Sequence, residues 1–132
     1  MKDLTRILYA DDEQDMQTIV EIIVQSTGDC DIKICDNGKQ LLDCVEYYEP
    51  DLILLDVMMP EMDGLTTFMN LQADENTKNI PVIFMSAKAQ IHEVNIFQNR
   101  GVIGVITKPF DPLQFFPDLK KIWEKSNKIR EN

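Results

Sequence analysis

The chain has 132 residues, with 13 lysines and arginines against 23 aspartates and glutamates, for a net charge of -10. That length is one domain, large enough for a real core, and the acidic excess disfavours direct contact with nucleic acid or an anionic membrane. No apolar run approaches the about 20 residues of a membrane span, and the opening Met-Lys-Asp-Leu-Thr-Arg lacks the apolar region of a secretory signal.

The first predicted element is a short apolar strand over 7–10, followed at once by Asp11, Asp12 and Glu13. Adjacent carboxylates at a strand end repel one another, so a cation, a helix N-terminus or water has to offset them. Met16, Ile19, Val20, Ile23 and Val24 then recur at helical spacing, and Gly28 ends that helix. Residues 32–35 alternate apolar and polar, which predicts an edge strand. The turn at Asp36, Asn37 and Gly38 leads into a helix carrying Leu41, Leu42, Val45 and Tyr48, stopped by Pro50. Cys30, Cys35 and Cys44 are odd in number and form no Cys-x-x-Cys pair, so they read as reduced thiols of a cytosolic protein without a metal or redox role.

At the centre, residues 52–55 are apolar without a break and the run stops at Asp56. Such a run predicts a strand buried on both faces of a parallel sheet. Pro60 and Gly64 mark a loop, and a third helix places Leu65, Phe68 and Met69 on its buried stripe before giving out in the polar run 74–79. Residues 80–85 form another apolar strand, ending at Ser86, Ala87 and Lys88. A weaker helix carries Ile91, Val94 and Phe97, along with His92, which reads as a surface residue. The fifth strand spans 102–106, where Gly104 weakens the strand or admits a close backbone neighbour. Thr107, Lys108, Pro109 and Phe110 follow, then a helix carrying Leu113, Phe116, Leu119 and Trp123. Asp111 and Pro112 suit its N-cap and first position. Pro117 removes the backbone bond to residue 113, which predicts a short turn over 112–116 kinking into the main helix.

Strands and helices alternate five times, which predicts an α/β doubly wound parallel sheet of five strands, flavodoxin-like, with helices on both faces. The strand order 2-1-3-4-5 is taken over from known folds of this kind and makes the first and third strands neighbours at the switch point, where such sheets place their chemistry. A lone Asp56 reads more readily as an aspartate that only caps a turn. Asp11 and Asp12, Ser86 and Lys108 at the other strand ends change that reading. Three carboxylates offer an oxygen-rich site suited to Mg²⁺, and one of them can attack phosphorus. A lysine and a hydroxyl can meet the charge on a phosphoryl group.

Four stretches, 7–13 (Ile-Leu-Tyr-Ala-Asp-Asp-Glu), 51–64, 81–87 and 107–110 (Thr-Lys-Pro-Phe), together resemble the receiver domains of two-component response regulators, in family order and spacing over nearly the whole chain. The resemblance implies a single receiver domain over 1–132, cytoplasmic, with no output domain in this chain. It implies that Asp56 accepts a phosphoryl group from the phosphohistidine of a sensor histidine kinase or a histidine phosphotransfer protein. Asp12 and Asp56 would bind Mg²⁺ directly, helped by the Met58 backbone carbonyl, with Asp11 acting through water. Ser86 and Lys108 complete the catalytic set, and the Lys108-Pro109 peptide would be cis. The domain would catalyse its own phosphorylation and dephosphorylation without being an enzyme on a separate substrate. Its signal would pass through the face of the fourth helix, fifth strand and fifth helix to a downstream protein, a fused output domain or a second copy of the chain.

Two departures fall on that face: Val105 stands where the family usually carries Tyr or Phe, and Pro117 lies in the last helix. The competing readings are a receiver-shaped interaction module that never meets a phosphodonor, and an enzyme on a similar fold. Asp11, Asp12 and Glu13 would repel the phosphate of a flavin, and Met58 occupies the place where aspartyl phosphatases carry a second Asp.

Overall fold

A computed structural model describes residues 3–87 and 101–131. The described chain runs β1 Arg6–Ala10, α1 Gln14–Thr27, β2 Asp31–Cys35, α2 Gly38–Tyr48, β3 Leu52–Asp56, α3 Gly64–Ala73, β4 Val82–Ala87, β5 Val102–Lys108 and α4 Pro112–Glu131. All five strands are parallel and ordered β2-β1-β3-β4-β5. The predicted helix around 91–97, with His92, lies outside the described residues.

The alternation of side chains along each strand builds two cores. Leu8, Ala10, Ile53, Leu55 and Phe84 face α2 and α3, where they meet Leu41, Val45, Phe68 and Leu71. Ile7, Tyr9, Leu52, Leu54, Ile83 and Met85 face α1 and α4, where they meet Val20, Val24, Phe115, Leu119 and Trp123. β3 is buried along its whole length because both cores use it, as its unbroken apolar run requires. β2 is an edge strand, as its alternation predicts. Cys30, Cys35 and Cys44 are all free thiols. Cys35 and Cys44 meet in the core at 3.6 Å between sulfurs, and burial, with Cys44 beside it, pushes the Cys35 thiol up to about 12.

Two strands run further than their apolar stretches. β4 includes Ser86, and β5 includes Thr107 and Lys108, paired as Ser86 with Thr107 and Ala87 with Lys108. Polar residues thus enter the sheet at its carboxyl end. Gly104 is a close-approach position, since a Cβ there would lie 2.6 Å from the Ile122 side chain of α4.

The C-terminal helix corrects the expected break. It is continuous α-helix from Pro112, with Pro117 inside it. Asp111 caps it by accepting from the Leu113 N–H at 2.9 Å. Leu113 and Pro117, one turn apart, both face solvent, so water can satisfy the carbonyl that proline leaves without its intrahelical donor. Phe115, Phe116, Leu119 and Trp123 bury the other side, and that packing outweighs the local cost of proline. Leu113, expected on the buried stripe, is 83% exposed, and Phe115 takes its place.

Candidate functional site

β1 delivers Asp11 just past its last residue, and β3 delivers Asp56 as its last residue. Since β1 and β3 pair directly, with Ala10 opposite Leu55, the two carboxylates come to one edge of the sheet. Asp11, Asp12 and Asp56 each offer a carboxylate oxygen, and these atoms all lie within 4.8 Å of one another. Asp11 is fully buried, Asp56 is nearly so, and Asp12 is exposed. The loop after Asp56 folds back over it: the Gly64 N–H donates to the Val57 carbonyl at 2.8 Å. A Cβ on Gly64 would lie 2.3 Å from the Asp56 carbonyl oxygen, so only glycine allows this approach. Asp63 then caps α3, accepting from the Thr66 N–H at 2.7 Å.

Lys108 reaches into the cluster from the end of β5. Its Nζ lies 3.0 Å from Asp56 Oδ1, 3.3 Å from Asp11 Oδ2 and 3.7 Å from Glu13 Oε1. Burial works against its ammonium, but the bonds to and charges of Asp56 and Asp11 outweigh that and raise its pKa above the ordinary value. Asp56 is pushed the other way from most paired carboxylates. Burial first, then the charge of Asp11, raise it from 3.8 to about 6, against the pull of Lys108. One ammonium shared among this many carboxylates leaves an unmet negative charge. The donors are all oxygens at close range, which fits a hard divalent cation and not a thiophilic one.

Ser86 is fully buried, next to Met85, the register partner of Asp56. Its hydroxyl donates to the Ala87 carbonyl at 3.0 Å. The Met58 side chain is 62% exposed in the loop after Asp56. Lys108-Pro109 is a cis peptide.

Two residues of the site went unread in the sequence. The Tyr9 hydroxyl donates to Asp11 Oδ2 at 2.6 Å. Burial, and then that bond and the Asp11 charge, raise the phenol pKa far above its usual range. The available signal was position: Tyr9 and Asp11 are two apart and extend to the same side of a strand. Gln17, in the second turn of α1, donates through Nε2 to the Asp11 carbonyl at 2.6 Å and to Asp36 Oδ1 at 3.0 Å, tying β1 to the β2–α2 turn.

The comparisons with known proteins agree with this geometry. The family model described as response regulator receiver domain matches residues 7–120. The chain is 31% identical over 120 residues to chemotaxis protein CheY-3 of Vibrio cholerae, covering 91% of this chain and 92% of that protein. It is 30% identical over 126 residues to the DNA-binding dual master transcriptional regulator RpaA of Synechocystis, covering 96% of this chain but 52% of that one. It covers 46% of response regulator Rre1 from the same organism, so the chain spans about half the length of these two relatives. Among solved structures, Vibrio cholerae CheY4 matches in fold with a TM-score of 0.81 at 21% identity, over 91% of this chain and 99% of that one. The receiver domain of a signal transduction histidine kinase from Syntrophus aciditrophicus gives 0.79 at 26% identity, over 92% and 91%. The chain belongs to the response regulator receiver domain family of two-component signalling.

Proposed function

We propose that the chain is a phosphorylation-switched receiver, in which Asp56 takes a phosphoryl group from the phosphohistidine of a sensor histidine kinase or a histidine phosphotransfer protein. The observation that carries this reading is the 3.0 Å contact of Lys108 Nζ with Asp56 Oδ1, inside a cluster of three carboxylates. An Asp56 oxygen attacks phosphorus, the phosphorus–nitrogen bond breaks, and its electron pair returns to the imidazole. Asp12, Asp56 and the Met58 carbonyl would hold Mg²⁺, with Asp11 reaching it through water. That ion supplies charge neutralisation for the phosphoryl oxygens. Lys108, which already spans three carboxylates, would turn one of its donors to the phosphoryl group, and Ser86 would exchange the Ala87 carbonyl for a phosphoryl oxygen.

The pairing of Ser86 with Thr107 and of Phe84 with Val105 supports a route for the signal into β5 and the face it shares with α4. Val105 has no large ring to reposition. The phosphorylated state is then read through backbone shifts, or through contact with a second copy, rather than through a rotamer flip at this residue. The target is a downstream protein or an output domain.

The test is labelling by a phosphorylated histidine phosphotransfer protein, with and without Mg²⁺. The reading predicts an acyl phosphate that forms only with Mg²⁺. Lys108→Ala should still bind the metal, while phosphorylation no longer changes amide shifts in β5 and α4. A chain that takes no label from any phosphohistidine or small acyl-phosphate donor is an interaction module instead.

A further inference from the structure

The Asp11 carboxylate has more donors than a metal ligand needs. Tyr9 Oη donates to Oδ2 at 2.6 Å, Lys108 Nζ meets the same oxygen at 3.3 Å, and the Glu13 N–H donates to Oδ1 at 2.9 Å. Each carboxylate oxygen offers a pair of acceptor positions. Oδ2 is therefore filled, and Oδ1 keeps one position. The two donors on Oδ2 differ in kind. Lys108 is shared with Asp56 and Glu13 and can turn to another anion. Tyr9 is fully buried among Ile7, Leu54 and Met85, and its rigid ring brings the hydroxyl to Asp11 from beneath.

We propose that Tyr9 is a positioning residue that leaves Asp11 only one usable oxygen, and that it thereby tilts the acidic cluster toward Mg²⁺ and against Ca²⁺. The inference rests on the reading of the cluster as a Mg²⁺ site. Mg²⁺ takes a small octahedron of single oxygens and gives up water reluctantly, so one lone pair on Asp11, directly or through a water, suffices. Ca²⁺ takes a larger and less regular shell in which a carboxylate commonly offers both oxygens. While the Tyr9 hydroxyl occupies Oδ2, Asp11 cannot chelate in that way. Replacing the phenol with phenyl keeps the packing and frees the oxygen.

The test compares Mg²⁺ and Ca²⁺ dissociation constants of the wild type and Tyr9→Phe by isothermal titration calorimetry at one ionic strength. Losing the hydrogen bond should shift the affinity ratio toward Ca²⁺ by roughly three- to tenfold. A Tyr9 that only packs the core would leave both dissociation constants as they are, because phenylalanine keeps the packing; an unchanged ratio overturns the inference. A second measurement needs no variant. With tyrosine labelled at Cζ, the Tyr9 resonance should keep its hydrogen-bonded shift through Mg²⁺ saturation, and movement to the value of a free phenol overturns the proposal. A wild type that binds Mg²⁺ with an unmoved ratio in Tyr9→Phe defeats this inference alone. A wild type that binds neither cation defeats the Mg²⁺ reading and this inference together.

Discussion

The two ends of β3 each carry a buried aspartate, and the two are held in opposite ways. Asp51, just before the strand, accepts at Oδ2 from the Thr5 N–H and hydroxyl, both at 2.9 Å, and from the Arg6 N–H at 3.0 Å. Its carbonyl takes the indole N–H of Trp123 at 3.2 Å. Asp56, which ends the strand, lies with two more carboxylates and shares Lys108 with one of them, Asp11. Both are almost inaccessible to solvent, so burial does not distinguish them. The difference among the described partners is in what they do. Donors of Thr5 and Arg6 hold Asp51 and fasten β1 to the start of β3. Asp56 sits in an excess of negative charge that a cation can meet.

Breaking the structural end should cost the most stability. Asp51→Ala leaves buried backbone donors of Thr5 and Arg6 unmet, and should lower the unfolding free energy by about 3 kcal/mol, read by urea denaturation through the fluorescence of Trp123. An Asp51→Ala protein as stable as wild type would erase the distinction. The functional end should respond with the opposite sign. Asp56 holds its proton more tightly folded, at about 6, than at the ordinary 3.8. Its contribution to stability is therefore full below about pH 4 and is lost as pH rises through about 6. At neutral pH without metal, Asp56→Asn should be more stable than wild type by on the order of 1–3 kcal/mol, and the gain should vanish near pH 4. Adding Mg²⁺ should stabilise the wild type more than the variant.

A smaller effect concerns how long the phosphate lasts. On the proposed reading, water would attack phosphorus opposite the Asp56 oxygen, on a path that the family resemblance implies is flanked by residues 58 and 88. Met58 is exposed and offers no strong acceptor, and Lys88, outside the described residues, is of a type that can only donate. Neither residue type can orient a water as an amide or carboxylate can. Met58→Asn combined with Lys88→Glu should shorten the acyl phosphate lifetime by about tenfold, equivalent to ~1.4 kcal/mol in the barrier. An equal or longer lifetime in a donor-removal assay would assign the decay rate to other groups.

Much of this was legible before the structure. Long apolar runs disclosed the strands, and carboxylates, hydroxyl and lysine at their ends disclosed the cluster, because a parallel sheet gathers its strand ends at one edge. Helix orientation was less legible. Ile19 and Met69 fit the periodicity of their helices yet are 41% and 51% exposed, while Leu71 and Cys44 are buried. Spacing gives the width of an apolar stripe, and tertiary packing fixes which edge of it points inward. Pro117 misled because a local rule ignores which side of the helix meets water. Tyr9 was hidden by its own apolarity: the residue packs as a core ring, and only the three-dimensional placement of its hydroxyl reveals the bond to Asp11. The Cys35–Cys44 contact joins residues from a strand end and a helix, beyond what a short-range cysteine motif records.

The most direct measurement sets the two aspartates against each other in one experiment. Wild type, Asp56→Asn and Asp51→Asn are treated with a phosphodonor and Mg²⁺, and the intact proteins are weighed by mass spectrometry with the adduct mapped to a peptide. A phosphoryl adduct on wild type and on Asp51→Asn, placed at Asp56, with none on Asp56→Asn while that variant remains folded, is the predicted result. The same adduct on Asp56→Asn, or loss of labelling in a folded Asp51→Asn protein, would contradict the assignment of chemistry to one end of β3 and structure to the other.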